Sequence, residues 1–409
     1  MKFRCNLKEF VTAYRDYDPI RQLHGVTHND LFGGVNPPII DSITFQQDPV
    51  FMEQYFKGMF GPEDDHYVYA RFAHPNTEFL GCQISAIEDA TWTGILSSGQ
   101  AAMSTVVNAL TEVGDVILSS SRLYGGTVNM LRSLNDWRKI TVKFVDVTDL
   151  AAVGHALEHE HPRVFIVESV SNPSVVSADI PAIAVLAKRF GVFTVCDNTF
   201  MPLAVLPLRL GVDAVVHSLT KYLSGNSDGL GGSISLARGL PAEVKARIRQ
   251  HVGLHGPVLH YRFAADISKR MADLSGRVRE SSSIARCIAG EFVKKGFHTY
   301  APMLSRQYAQ NTVLKKILLT EKFGRGSVIA VDFETVPRAI EFVRQQAKQS
   351  AGYSAVSLGS SHTYACAPFT SVSSGSSDGP KELTPSLVRI AIGRDLPAAL
   401  LWEKFAKVL

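Results

Sequence analysis

A lysine and an aspartate in the middle of the chain stand where apolar runs stop. Residues 213–232 read Asp-Ala-Val-Val-His-Ser-Leu-Thr-Lys-Tyr-Leu-Ser-Gly-Asn-Ser-Asp-Gly-Leu-Gly-Gly. Lys221 thus follows an apolar run at 214–216 and two hydroxyls, Ser218 and Thr220, and a glycine- and serine-rich turn comes next. Upstream, Asp197 closes another apolar run at 193–195 and opens Asp197-Asn-Thr-Phe-Met-Pro. A lysine in such a turn can be a capped surface residue or a reactive amine held in a site. In an open α/β sheet the carboxyl ends of neighbouring strands share one crevice, where Asp197 and Lys221 would meet. That pairing suits pyridoxal 5'-phosphate, whose aldehyde needs a lysine Schiff base and whose ring nitrogen needs an acidic partner. Ser218 and Thr220 would then bind its phosphate.

The elements that must position these groups are legible as an alternation. Strand patterns at 95–96, 116–118, 141–145, 164–167, 193–195 and 214–216 alternate with helix patterns at 78–89, 101–110, 124–137, 150–160 and 180–190. Strands alternating with helices of this length predict an α/β fold, a mostly parallel sheet with helices on both faces, over 67–265. Asn76 and Thr77 are candidate caps of the 78–89 helix. Ser97-Ser-Gly99-Gln100 ends a strand and opens a helix, whose first N–H groups can hold a phosphate; a plain strand-to-helix turn is the other reading.

Residues 1–66 are broken by Gly33-Gly34, Pro37-Pro38, Pro49 and Gly61-Pro62, and they carry Phe45, Phe51, Tyr55, Phe56 and Phe60. They predict an arm that buries its aromatics on a neighbouring subunit. From 259 apolar spacing predicts a long bridging helix. Within a smaller C-terminal α/β domain, 266–409, patterns at 327–333, 338–346, 355–358, 387–392 and 397–408 predict further elements. The stretch 370–379 is low in complexity.

Composition excludes several classes. With 45% hydrophobic and 20% charged residues over 409 positions, the chain is globular, and a net charge of +4 without charge blocks gives no sign of nucleic acid. The N-terminus lacks the apolar core of a signal peptide and no run reaches membrane-spanning length, so a cytoplasmic protein is expected. The scattered cysteines, five in all, form no Cys-x-x-Cys pair, and neither a disulfide framework nor a zinc site is expected from them.

Taken together, Ser97-Ser-Gly-Gln-Ala-Ala, Leu123-Tyr-Gly-Gly-Thr, Glu168-Ser-Val-Ser-Asn-Pro, Asp197-Asn-Thr-Phe-Met-Pro, Ser218-Leu-Thr-Lys-Tyr-Leu-Ser-Gly-Asn, Ser357-Leu-Gly and Leu387-Val-Arg-Ile-Ala-Ile-Gly resemble, in order, the Cys/Met-metabolism family of pyridoxal-phosphate enzymes. This family includes cystathionine γ-synthase, cystathionine lyases, methionine γ-lyase and O-acetylhomoserine sulfhydrylase. The resemblance implies fold type I and a homotetramer, a dimer of dimers with shared active sites. It implies Lys221 as the Schiff-base lysine and Asp197 as the partner of the ring nitrogen. Gly99, Gln100, Ser218 and Thr220 would hold the phosphate, and Tyr69 and Arg71 would reach it from the neighbouring subunit. Tyr124 would stack on the ring and assist proton transfer, while Asn172, Ser357 and Arg389 would surround the carboxylate of an amino-acid substrate.

Arg389 is the lone charge on an apolar strand, and a guanidinium grips a carboxylate through two parallel hydrogen bonds; a solvated strand face is the other reading. The implied activity is γ-replacement or γ-elimination through a β,γ-unsaturated intermediate, on a homoserine ester, a methionine-like thioether or a sulfonium, with C–S β-lyase chemistry as the alternative. The chain departs from the family pattern at His74, where asparagine is usual, at His362, where glutamate is common, at Gly126, and in a long 51–65 segment.

Two rivals remain. His155-Ala-Leu-Glu158-His159 fits the His-x-x-Glu-His spacing of inverted zinc peptidases, but no further acidic ligand motif accompanies it, so no metal is expected. A non-catalytic relative would be expected to have lost one of Lys221, Asp197, Tyr124 or Arg389, and all are present.

Overall fold

The computed structural model describes residues 3–4, 13–28, 34–47, 49–56, 67–304, 311–368 and 384–409. Near the N-terminus, β1 (Phe3–Arg4) pairs with β2 (Thr27–His28) around α1 (Pro19–His24), and α2 covers Pro49–Phe56. Then follow α3 (Pro75–Glu88), β3 (Trp92–Leu96), α4 (Gly99–Leu110), β4 (Val116–Ser120), α5 (Gly125–Arg138), β5 (Thr141–Val145), α6 (Leu150–Glu160), β6 (Val164–Glu168), α7 (Ile180–Arg189), β7 (Phe193–Asp197), β8 (Ala214–Ser218) and β9 (Gly232–Leu236). The strands form a seven-stranded sheet in the order β3-β9-β8-β7-β6-β4-β5. All its pairs are parallel except those of β9, which lies antiparallel between β3 and β8. The mostly parallel α/β expectation therefore holds, with β9 and α8 (Ala242–His255) as additions.

Strand alternation sends neighbouring residues to opposite faces. Ala214 and Val216 join the core under α4, α5 and α8, while Val215 and Cys196 join the core under α3, α6 and α7. Both faces are therefore covered, which leaves the strand ends as the accessible edge.

Helix α3 starts earlier than its apolar spacing predicts, and its cap is His74 rather than Asn76 or Thr77. The His74 Nδ1 accepts the Asn76 N–H at 3.1 Å, and Pro75 takes the first helical position, where a missing N–H costs nothing. The Asn76 side chain instead accepts the Ile40 N–H at 3.0 Å. The long helix expected from 259 is two helices, α9 (Tyr261–Arg270) and α10 (Leu274–Lys294), joined by a 3-10 turn at Met271–Asp273.

Beyond α10, β10 (Thr299–Tyr300), α11 (Asn311–Ile317), β11 (Val328–Asp332), α12 (Val336–Lys348), β12 (Tyr353–Ser354), β13 (Tyr364–Cys366), β14 (Leu387–Ala391) and α13 (Ala398–Ala406) complete the chain. Their strands form a five-stranded sheet in the order β10-β11-β14-β13-β12. The element expected at 355–358 is absent. That stretch leaves the sheet as a loop, and Gly359, at φ +77, lets it lie against the turn bearing Lys221. A Cβ there would sit 2.6 Å from the Tyr222 nitrogen, so only glycine fits.

The N-terminal segment divides. Residues Tyr14 and Tyr17 pack on their own chain, with the Tyr17 hydroxyl donating to the Ala86 carbonyl at 2.5 Å and the Tyr14 hydroxyl to that of Ile317 at 2.6 Å. Phe45 also packs within the chain, its ring 5.5 Å from that of Tyr67. Phe60 and most of the 51–65 segment beyond α2, like the 370–379 stretch, lie outside the described residues. Among the described residues no helix is long and apolar enough to cross a membrane.

Candidate active site

A cavity of about 230 Å³ opens at the carboxyl edge of the large sheet. Its floor is built at the ends of β3 (Ser98, Gly99, Gln100), β4 (Tyr124, Thr127), β6 (Glu168, Asn172), β7 (Asp197, Thr199) and β8 (Ser218, Thr220, Lys221). The C-terminal part of the chain, around the five-stranded sheet, closes it with Val356, Leu358 and Arg389.

Asp197 ends β7 directly beside Glu168, the last residue of β6. Burial raises the Asp197 carboxyl, opposed by hydrogen bonds from Thr199 and by the charge of His217. The Thr199 N–H donates to Asp197 Oδ1 at 2.9 Å, and the Thr199 Oγ1 accepts the Ser218 N–H at 2.9 Å. One threonine thus joins the ends of β7 and β8. Glu168 is more strongly raised, by burial first and by the Asp197 charge second. Opposing that, its Oε1 accepts the Tyr124 N–H at 2.7 Å and its Oε2 the Asn172 N–H at 2.8 Å.

Lys221 leaves β8 with Nζ donating to Ser357 Oγ at 3.1 Å. Burial, helped by the Arg389 guanidinium, pushes its amine down to about 8. Arg389 is 2% exposed, which removes the solvated-face reading. It donates through Nη1 to Asn172 Oδ1 at 3.2 Å and through Nη2 to the Ser357 carbonyl at 3.1 Å, while its buried Nε has no partner.

Helix α4 is capped by the Ser98 hydroxyl, which accepts the Ala101 N–H at 3.0 Å, so the N–H groups of Gly99 and Gln100 stay at the open end. A Cβ on Gly99 would stand 2.8 Å from that of Ser218, so this edge closes only around a glycine. The buried Gln100 Nε2 has no partner. Thr220 bonds both ways with Gly231, its Oγ1 accepting that N–H at 3.0 Å.

A phosphate suits the helix N-terminus beside Ser218 and Thr220, a ring nitrogen suits Asp197, and an aldehyde suits a lysine of lowered pKa. The unpartnered Gln100 and Arg389 donors add buried sites for anionic groups. The residues present fit pyridoxal 5'-phosphate with an amino-acid carboxylate beside it.

Among the expected site residues, Lys221, Asp197, Gly99, Gln100, Tyr124, Ser218, Thr220, Asn172 and Arg389 line this cavity, and Ser357 bonds the lysine at its edge. Tyr69 and Arg71 do not line it. Tyr69 is 43% exposed, and the Arg71 guanidinium donates to the Gly253 carbonyl at 2.5 Å and covers the Phe72 ring. His362 is also outside the cavity lining, bonded to Asp395 at 2.9 Å. His155, Glu158 and His159 are exposed on α6, and the described residues hold no cluster of three or more groups able to bind a metal. Sequence reasoning missed Glu168 and Thr199. For Glu168 the signal was the one used for Asp197, an acid closing an apolar run.

Comparison with known proteins agrees with this geometry. Residues 21–397 match the family described as Cys/Met metabolism PLP-dependent enzyme. Methionine gamma-lyase of Arabidopsis thaliana is 34% identical over 408 residues, 98% of this chain and 92% of that protein. Cystathionine beta-lyase of Bacillus subtilis is 32% identical, covering 88% of each. Among solved structures, a Campylobacter jejuni chain provisionally assigned as an O-acetylhomoserine (thiol)-lyase superposes with a TM-score of 0.86. It covers 93% of this chain and 97% of its own at 21% identity, a likeness of fold, and it carries an N'-pyridoxyl-lysine-5'-monophosphate. With its fold, its strand-end cleft and a match over nearly its whole length, the chain belongs to the Cys/Met-metabolism family of pyridoxal-phosphate-dependent enzymes.

Proposed function

We propose that this enzyme performs γ-replacement or γ-elimination on an amino acid carrying a γ-leaving group: a homoserine ester, a methionine-like thioether or a sulfonium. The observation that carries this reading is the Lys221 amine, lowered to about 8, in one cavity with Asp197 and the buried Arg389. The Arabidopsis thaliana relative, a methionine gamma-lyase, favours γ-chemistry over the β-lyase alternative.

In this reading Gly99, Gln100, Ser218 and Thr220 hold the cofactor phosphate, Asp197 keeps the ring nitrogen protonated, and Tyr124 stacks on the ring. Bound there, the cofactor supplies an electron sink that makes the substrate Cα–H acidic. Arg389, with Asn172 and Ser357 around it, grips the substrate carboxylate and fixes which C–H bond faces the lysine. The Lys221 amine removes the Cα proton, because a group titrating near 8 is neutral in a useful fraction near neutral pH. For γ-chemistry Lys221, once it has released the first proton, takes a second from Cβ, and the γ-substituent departs with its bonding electrons. The apolar Val356 and Leu358 line the same cavity.

The working form is a cytoplasmic homotetramer, a dimer of dimers, in which Tyr69 and Arg71 reach the phosphate of a neighbouring subunit. Supporting this, Tyr69 is exposed on its own chain and neither residue lines its own cavity. Residues 1–66 form the arm, 67–265 the cofactor domain and 266–409 the smaller domain. Mixing inactive Tyr69→Ala and Lys221→Ala subunits restores activity if sites are shared, and verified hybrids without activity count against it.

The deciding experiment is deuterium exchange into norvaline in heavy water, read by mass spectrometry. Exchange at both Cα and Cβ supports γ-chemistry. Exchange at Cα alone moves the reaction to β-elimination, and no exchange with cofactor bound overturns the reading for unbranched amino acids.

A further inference from the structure

Glu168 touches more of the cleft than its position in the sequence suggests. Its two oxygens accept from different loops: Oε1 from the Tyr124 N–H at 2.7 Å, where α5 begins, and Oε2 from the Asn172 N–H at 2.8 Å, after β6. Asn172 in turn accepts from Arg389 Nη1 at 3.2 Å, Arg389 Nη2 donates to the Ser357 carbonyl, and the Ser357 hydroxyl accepts from Lys221 Nζ. A single carboxylate therefore begins a continuous set of hydrogen bonds from the ring-facing tyrosine through the carboxylate-binding arginine to the lysine.

We propose that Glu168 is the positioning residue of this site, a two-oxygen fork that sets Tyr124 and the Asn172–Arg389 pair in register with each other. This inference rests on the proposed roles of Tyr124 and Arg389.

The chemistry of the fork explains why glutamate stands here. Both donors are backbone N–H groups, so the side chain between them must present an accepting oxygen to each, which the two oxygens of the carboxyl group do. Glutamine, of the same shape, offers one acceptor and turns its own N–H₂ toward the other donor. The backbone of β6 holds Glu168 rigidly, paired in register with β7 up to Asp197, so the fork is aimed by the sheet.

The test uses the full-length protein and two double-mutant cycles. Glycine, which carries the substrate's amino and carboxylate groups without a side chain, is titrated spectroscopically into enzyme loaded with pyridoxal phosphate. Separately, the dissociation constant of pyridoxal phosphate itself is measured by equilibrium dialysis. Glu168→Gln should weaken glycine binding by about tenfold. In an Asn172→Ala background the same change should cost less than about twofold, because the group it positions is gone. Cofactor binding should likewise weaken with Glu168→Gln and lose that sensitivity in a Tyr124→Ala background.

Additive effects in both cycles, or Glu168→Gln binding both ligands as the parent does, overturn the inference while leaving the proposed function standing. A parent protein that binds no pyridoxal phosphate overturns both. Should Glu168→Gln fail to fold, Glu168→Asp enters the same cycles with the same expectations, since it shortens the reach of the fork while keeping both oxygens.

Discussion

The wall of the cleft built by the seven-stranded sheet and the wall built by the five-stranded sheet meet where Lys221 bonds Ser357, and they are held in different ways. On the first wall each group sits at a strand end and is tied by backbone donors: Asp197 by Thr199, Glu168 by Tyr124 and Asn172, and the end of β8 by the Thr199 hydroxyl. Beneath it, buried Glu88 meets His217 at 2.6 Å. On the second wall the groups are set by long-range contacts. Arg389 is aimed by Asn172, 217 positions away on the first wall, and Ser357 lies on a loop that approaches the lysine turn only because Gly359 has no side chain. The first wall is a property of one sheet, and the second exists only once the two sheets come together. Damage to the first should therefore reach the cofactor or stability, and damage to the second should spare cofactor binding.

The largest expected effect is that of Lys221→Ala, which should lower turnover by about 10³-fold or more and abolish the absorbance of lysine-linked cofactor. A variant that kept the colour would refute the role of this lysine. Next, Glu88→Ala leaves a buried His217 ring nitrogen without its partner and should reduce unfolding free energy by about 1–3 kcal/mol in urea titrations. A loss below about 1 kcal/mol would mean that the pair adds little to the first wall. Arg389→Ala should weaken amino-acid binding by about a hundredfold while leaving the cofactor dissociation constant within about twofold, a split expected when one partner of a buried charged contact is truncated. Equal losses for both ligands would erase the distinction between the walls.

The smallest effect is a titration that joins them. In cofactor-free protein the rate of Lys221 modification by an amine-directed reagent should be half-maximal near pH 8, following the lowered amine. In Arg389→Ala the midpoint should move upward, because burial remains but the neighbouring cation is removed. The same shift fixes the sign for stability. A lysine depressed in the fold costs stability most below its folded value of about 8, and that cost is relieved as pH rises from there toward the unfolded value of about 10.4. A midpoint near that of an ordinary lysine would show a solvated amine and a looser junction of the two walls.

Much of the first wall was legible because the chemistry of a parallel sheet is local. An apolar run followed by Asp197, or by Ser218, Thr220 and Lys221, announces a strand end, and strand ends of one sheet must share an edge. Glu168 obeys the same rule and passed unnoticed because it opens a loop motif whose later residue, Asn172, drew the attention. His74 as a helix cap was hidden for a different reason: asparagine and threonine stood nearby, and both are commoner helix caps than histidine. The stretch 355–358 looks like a strand in composition, with Val356 and Leu358 alternating, yet those side chains serve the cavity rather than a sheet face.

By itself the sequence determined the α/β alternation, the candidate amine and acid, and the glycine that opens α4. All of these depend on neighbours within a few residues, where hydrophobic periodicity and turn chemistry operate. Only the tertiary structure decided that Arg389 is buried and aimed at Asn172, that Glu168 bridges two loops, and that Tyr69 and Arg71 stay clear of their own chain's cavity. Most of those facts rest on contacts between residues tens to hundreds of positions apart, and no local pattern encodes the direction in which a distant strand turns a side chain.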